Sequence, residues 1–273
     1  MAPVEGYWGK QTATIDWCEE NYRITPYIAE FWNTISNFIF IIPTFIVLYI
    51  AVIQNHENRY KWCHIGVTSV GFGSWCFHMT LLYSMQLLDE LPMIYSSCFL
   101  LYCQLETTSP ENYHNRPLQI FFIAISILIT VIYVSTKHVL FFQACYGIMV
   151  MSMVIITIRI IMTLRHSRKL YIASLSTYVM GVVVWILDQH LCGQLKAVRS
   201  DVMPRMLSPV TELHAWWHLL AGIGTYLSVF FSAHTRYLYL NKNPEIHFWM
   251  GFWPYLSVPS LAKSRSKHRR LSS

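Results

Sequence analysis

Apolar residues run through this chain in long blocks, with short polar intervals between them. Seven blocks reach or approach the ~20 residues a helix needs to cross a bilayer. They cover roughly 34–54, 62–83, 88–104, 118–136, 139–163, 170–192 and 213–240. The intervals carry Asn, Pro, Lys, Arg and His, as short loops do. The pattern predicts an all-α integral membrane protein, a seven-transmembrane-helix bundle over residues 34–240 with an intramembrane metal site argued below. An acidic segment precedes it at 1–33 and a basic tail follows at 241–273.

Composition agrees: 54% of residues are hydrophobic and 12% charged, against about 25% charged in an ordinary soluble domain. The net charge of +6 gathers at the edges of the apolar blocks and in the run from Lys263 to Arg270. That placement suits anionic headgroups and topology, not nucleic acid. No obligate protein partner is implied. The acidic N-terminus lacks a basic stretch followed by an apolar one, so no cleaved signal peptide is expected. Lys10, Arg23, Lys137, Lys196, Arg199 and Arg205 fall on the N-terminal side of a seven-span bundle. The other fourteen of twenty basic residues fall on the opposite side or in the tail. The positive-inside rule then puts the C-terminus in the cytosol and the N-terminus in a lumen or outside.

The polar residues inside the apolar blocks are not scattered. Ser74 and His78, Asp89 and Glu90, Asp188 and His190, and His214 and His218 all sit at block ends on the N-terminal side. Ionisable groups at membrane depth cost about 2.5–3.5 kcal/mol each and mark functional sites by default. His214 and His218, in His-Ala-Trp-Trp-His, share one helix face at i and i+4. His78, closing Ser74-Trp-Cys-Phe-His78, can supply a third nitrogen. Three protein donors with water in the fourth position is the arrangement of a catalytic zinc. Iron and copper also take imidazole. Hydrolysis of a carbonyl compound is the natural use of such a site, given a proton shuttle and an oxyanion donor. Asp89 is the candidate shuttle, with a helix N-cap or a partner for one histidine as the plainer alternatives. Ser74, one turn before His78, is the candidate donor, with close packing in Gly71-Phe-Gly73-Ser74 as the alternative. His56, His64, His114, His138, His166, His234, His247 and His268 read as interfacial side chains.

Asp16, Glu19, Glu20 and Glu30 with Asn21 put four carboxylates and an amide into 15 residues. Such oxygens suit calcium, although the spacing is not that of an EF-hand; a solvated acidic loop is the alternative. Cys18 and Cys192 both fall on the N-terminal side and can pair if that side is oxidising. The five other cysteines lie in the apolar blocks as filler.

Taken in order, Asp16-Trp-Cys-Glu-Glu-Asn-Tyr22, Ala29-Glu-Phe-Trp-Asn33, Gly73-Ser-Trp-Cys-Phe-His78, Leu87-Leu-Asp-Glu-Leu-Pro-Met93 and His214-Ala-Trp-Trp-His218 resemble the alkaline ceramidases. The likeness is strongest to their type 3, phytoceramidase-like branch, and fades in the basic tail. It implies a seven-helix amidase of the endoplasmic reticulum or Golgi that splits the N-acyl bond of ceramides, including phytoceramide or dihydroceramide. The products are a sphingoid base and a fatty acid. It implies zinc on His78, His214 and His218, Asp89 as acid/base, and Ser74 beside the oxyanion. It also implies activating calcium on Asp16, the Trp17 carbonyl, Glu19, Asn21 and Glu30. Asp188 gains no defined role. The rival class is a seven-helix receptor of the adiponectin or progestin receptor type, with a similar zinc site. The acidic N-terminal cluster and the Ser74/Asp89 pair argue against it. A zinc transporter would need acids or histidines along both layers, and the second layer lacks them.

Overall fold

A computed structural model describes residues 6–204 and 206–259, so Arg205 and the basic run Lys263–Arg270 lie outside the described residues. The helices are α1 (Phe31–Ser36), α2 (Phe38–Ile53), α3 (Asn58–Thr80), α4 (Tyr83–Leu105), α5 (Arg116–Thr136), α6 (Val139–Thr163), α7 (Arg168–Asp201) and α8 (Leu213–Tyr239). A 3-10 turn, Ser208–Thr211, leads into α8. An antiparallel hairpin, β1 (Glu245–Trp249) and β2 (Trp253–Ser257), follows it.

Four stretches are long and apolar enough to cross a membrane: Phe31–Ile53, Arg116–Thr136, Val139–Thr163 and Arg168–Asp201. The remaining long helices, α3, α4 and α8, are the ones that carry Ser74, His78, Gln86, Asp89, Glu90, His214 and His218. Their hydropathy is lowered by the groups they present to the interior. The principal packing pairs are α3 with α4 and α7 with α8, while α5 and α6 form the rim. Rim residues such as Ile123 and Ile127 turn outward, about 59% and 58% exposed. In a bilayer that surface meets lipid.

The helix ends depart from the hydropathy blocks. The chain is apolar across 81–83, yet α3 ends at Thr80 and Leu81 takes a left-handed turn at φ 52°. So α4 begins at Tyr83, five residues before the block at 88, and Asp89 lies inside it. Leu82 holds the N-cap position, which removes the capping alternative for Asp89. Helix α7 runs nine residues past 192 to Asp201, a polar extension no hydropathy pattern marks. Residues 245–258, which fall in the tail by sequence, fold back as the hairpin and the residue after it, and bury Trp253, Leu256 and Val258 against the bundle.

That hairpin closes the end of the molecule opposite the N-terminal segment. Val258 N donates to Gln54 Oε1 at 3.1 Å, and the Tyr226 hydroxyl donates to the Pro254 carbonyl. Nearby, Arg236 is fully buried and pairs with both Glu57 oxygens at 2.9 and 3.0 Å. It also donates to the carbonyls of Thr107, Ser109 and Pro110. His56, His64 and His234 are buried at this end, not interfacial as sequence position suggests, because each faces the bundle. Burial pushes the His56 imidazole down to about 4, with the Lys61 charge adding to it.

Candidate active site

Each element of the site is set by a local feature of the sequence. His78 sits in the last turn of α3, where four carbonyls lack helical partners. The N-terminal segment supplies them: Glu30 N donates to His78 O and Ala29 N to Met79 O, both at 2.9 Å. Thr12 N and Ala13 N donate to Leu81 O at 3.2 and 3.0 Å. The segment is thus stitched onto the end of α3 that carries the histidine. Gly73 does the equivalent for α4. A Cβ there would lie 1.9 Å from Leu88 O and 2.8 Å from Asp89 N. Only a glycine lets the two backbones meet, and the contact sets the Ser74 side chain beside the Asp89 carboxylate.

His214 and His218 project from the first turns of α8 toward His78. The ring centroids are 4.6 Å apart for His214–His218, 4.8 Å for His78–His218 and 5.1 Å for His78–His214. Their donor nitrogens all lie within 4.8 Å of one another, and all three side chains are buried. Among the described residues no other group of three His, Cys, Asp or Glu converges this way. The donor set fits a borderline-soft cation such as zinc. His78 Nδ1 meets Glu30 Oε2, and His218 Nδ1 lies 2.8 Å from Ser36 Oγ. Both partners leave Nε2 free for a metal. His214 Nδ1 has no protein partner, and the Trp17 ring stacks on the imidazole at 3.8 Å.

The acidic segment forms a looser group than the triad. Glu19 accepts Trp32 N at 2.7 Å and Asn33 N at 2.8 Å, so it caps α1 from a distance. Glu30 Oε2 also takes Asn33 Nδ2 at 3.2 Å, while Glu30 Oε1 and Asn21 Oδ1 are buried without partners. Glu20 forms a surface pair with Arg23. Asp16 stands at the exposed edge. These groups are neighbours, but Asp16, Glu19 and Glu30 do not close on one point as the histidines do. Burial pushes the Glu19 carboxyl up to about 8, and the Glu30 charge adds to it. Glu30 is raised as well, burial again first. Two buried acids, with Glu30 Oε1 and Asn21 Oδ1 left unpartnered in the same segment, fit a bound cation that would offset their desolvation.

Cys18 and Cys192 are joined, with Cα atoms 5.3 Å apart, tying the acidic segment to α7. Asp188, one turn before Cys192, is buried near the amides of Cys18 and His214, and neither of its carboxylate oxygens has a hydrogen-bond partner among the described residues.

Several contributors carry no signal in the sequence. Ser36 touches His218 across 182 positions. Arg199, a topology-setting charge by sequence, is buried and pairs with Glu212 at 2.8 Å just before α8. Burial pushes Glu212 up to about 8, and Arg199 opposes the shift. Glu90 accepts from the Tyr133 hydroxyl at 2.5 Å and Gln86 Nε2 at 3.2 Å, and Gln86 Oε1 accepts Thr14 N at 2.8 Å. That network ties the N-terminal segment to α4 and α5. The sequence marks Glu90 only as one of the polar residues at the block ends, with no pointer to Gln86 or Tyr133 as its partners.

A cavity of about 610 Å³ opens beneath the triad. Ser74, Asp89, His214 and His218 line one end, and Gln104 and Thr157 the other. From Asp89 to Gln104 is fifteen residues of α4, about 22 Å of helix.

A bundle of apolar helices around a buried three-histidine cluster, with a carboxylate and a hydroxyl beside it, defines a helical membrane hydrolase. The ceramidase family profile matches residues 9–261. Alkaline ceramidase 3 of Mus musculus is 44% identical over 93% of this chain and 96% of its own length. Alkaline ceramidase YPC1 of Saccharomyces cerevisiae is 35% identical over 98% and 90%. An alkaline ceramidase of Arabidopsis thaliana is 26% identical over 93% and 96%. The chain belongs to the ceramidase family, and within it resembles the type 3 alkaline ceramidases.

Proposed function

We propose that the protein is a zinc-dependent intramembrane amidase that hydrolyses the N-acyl bond of ceramides to a sphingoid base and a fatty acid, with calcium as activator. The observation that carries this reading is the buried triad, with Ser74 and Asp89 lining the same cavity as His214 and His218. The polar end suits an amide near headgroup depth. The mostly apolar remainder, about 22 Å along α4, suits one extended hydrocarbon chain. His78, His214 and His218 would hold the zinc, which when bound polarises a carbonyl and brings the pKa of water toward 7.

The chain's own groups then move the protons. Asp89 takes the proton of the attacking water and passes it to the leaving amine nitrogen. Ser74 donates to Asp89 while the acid is ionised. Once Asp89 is protonated, its O–H can donate to Ser74 Oγ, which frees the serine proton for the oxyanion. The pair thus offers a donor only as negative charge develops on the carbonyl oxygen.

Asp16, the Trp17 carbonyl, Glu19, Asn21 and Glu30 would hold the calcium. Its influence reaches the triad through the Glu30–His78 contact. We read all seven long helices, α2 to α8, as spanning. The lysine and arginine asymmetry places the N-terminal side in the lumen of the endoplasmic reticulum or Golgi, an oxidising setting that suits a Cys18–Cys192 bond.

The test is fatty-acid release from a panel of ceramides by purified protein in nanodiscs, with and without a zinc chelator. Release should stop with chelator and return with zinc, and His214→Ala should lose metal and hydrolysis together. Hydrolysis that persists in metal-free protein would overturn the zinc mechanism. No release from any ceramide would overturn the substrate.

A further inference from the structure

We propose that Ser36 is a positioning residue for the histidine triad: with the Asn33 carbonyl, its hydroxyl fixes His218 in the tautomer that turns a bare Nε2 toward the metal. The inference rests on the reading of the triad as a metal centre and adds a residue to it.

The first membrane span is broken near its start. Between α1 and α2 the backbone does not continue its i→i−4 ladder: Asn37 N donates to Thr34 O at 3.3 Å, not to Asn33 O. The Asn33 carbonyl is released from helical duty. Irregular backbone at membrane depth persists only where protein supplies partners. Here the partners are Asn37 Nδ2 at 2.8 Å, Ser36 Oγ at 2.9 Å and His218 Nδ1 at 3.1 Å.

The carbonyl decides the proton. It can only accept, so at 3.1 Å His218 Nδ1 must carry the hydrogen. Ser36 spends its own hydroxyl proton on Asn33 O, so the oxygen it shows to Nδ1 at 2.8 Å is also an acceptor. Two acceptors converge on one N–H, and Nε2 is left as a lone pair. Both Ser36 and His218 are buried, so water does not compete for the contact.

The three histidines are therefore oriented by three devices. Glu30 holds His78, the Ser36–Asn33 pair holds His218, and the Trp17 ring covers His214. Partners of this kind typically contribute 10–100-fold to metal affinity. The Asn33 carbonyl survives a change at residue 36, so the expected loss is at the low end.

The experiment measures zinc affinity by competition with a chromophoric chelator on the full-length protein in nanodiscs. Ser36→Ala should bind zinc about tenfold more weakly than wild type, and its cobalt-substituted form should show displaced ligand-field bands. Ser36→Thr, which keeps the hydroxyl, should stay within about threefold of wild type. Should the alanine variant not accumulate, Ser36→Gly, which also lacks the hydroxyl, carries the same expectation. Affinity within twofold of wild type in the hydroxyl-free variant overturns the proposal, as does an equal loss in the threonine variant, which would point to packing. A wild-type protein that takes up no zinc would instead overturn the underlying reading of the triad.

Discussion

At the scale of single residues, the site is a set of buried polar groups, each with a reason to be there. In the proposed mechanism the donor direction between Asp89 and Ser74 follows the protonation of the acid. Asp89→Asn keeps the shape but cannot take a proton from water. It should retain zinc by metal analysis while kcat falls about 10²–10⁴-fold. An unchanged kcat would leave Asp89 no more than a hydrogen-bond acceptor for Ser74. Much of this was readable from spacing: His214 and His218 at i and i+4, and Ser74 one turn from His78, need only helical geometry. Ser36 was not readable, because nothing local says that the first span packs on the start of α8. Glu19 was half readable. Its acidity signals an ion, but its hydrogen bonds to Trp32 N and Asn33 N show it also caps α1, a pairing across an unpatterned loop.

At the scale of elements, the N-terminal segment is a scaffold for helix ends. It satisfies the carbonyls of His78, Met79 and Leu81, caps α1 through Glu19 and reaches α4 through Gln86. If a calcium ion orders that segment, removing it should disturb His78 without unfolding the bundle. A calcium chelator should lower activity reversibly by about tenfold or more, the size of an outer-shell effect on a metal ligand, and Glu19→Gln should mimic it. Activity indifferent to both would leave the segment as a metal-free cap. The α3–α4 contact makes a sharper demand. Gly73→Ala forces a methyl group into Leu88 O, and backbone cannot rotate away as a side chain can. Overpacking of this kind costs about 1–3 kcal/mol, and a shift of about 1 Å at Asp89 is enough to slow turnover about 100-fold. Thermal unfolding and kcat, measured together, should both fall. The hydropathy pattern located the helices but not this contact, nor the left-handed turn at Leu81, because an apolar run across 81–83 hides a change of direction. It also stopped α7 at Cys192, since the polar turns up to Asp201 are held by the disulfide and by the Arg199–Glu212 pair, not by lipid.

At the scale of the whole molecule, two polar clusters stand at opposite ends of one helix. His214 and Arg236 are 22 residues apart on α8, about 33 Å of helix. One end holds the chemistry, and the other is a buried knot in which Arg236 joins Glu57, at the head of α3, to the carbonyls of the loop after α4. The knot is closely partnered, so removing Arg236 leaves Glu57 without its closest cation and the Thr107 and Ser109 carbonyls without a donor. Losing one partner of a buried ion pair costs about 3–5 kcal/mol. Arg236→Met leaves Glu57 only the longer Arg59 contact at 3.7 Å and takes the donor from the Thr107 and Ser109 carbonyls, whereas Glu57→Gln keeps an acceptor for Arg236 and a neutral side chain. The arginine change should therefore lower the thermal midpoint more than the glutamate change. Neither should alter zinc affinity, because no side chain of the knot reaches the triad and distant sites act additively. If Arg236→Met weakens zinc binding as much as it weakens the fold, α8 transmits strain along its full length, and the two ends must be treated as one cooperative unit.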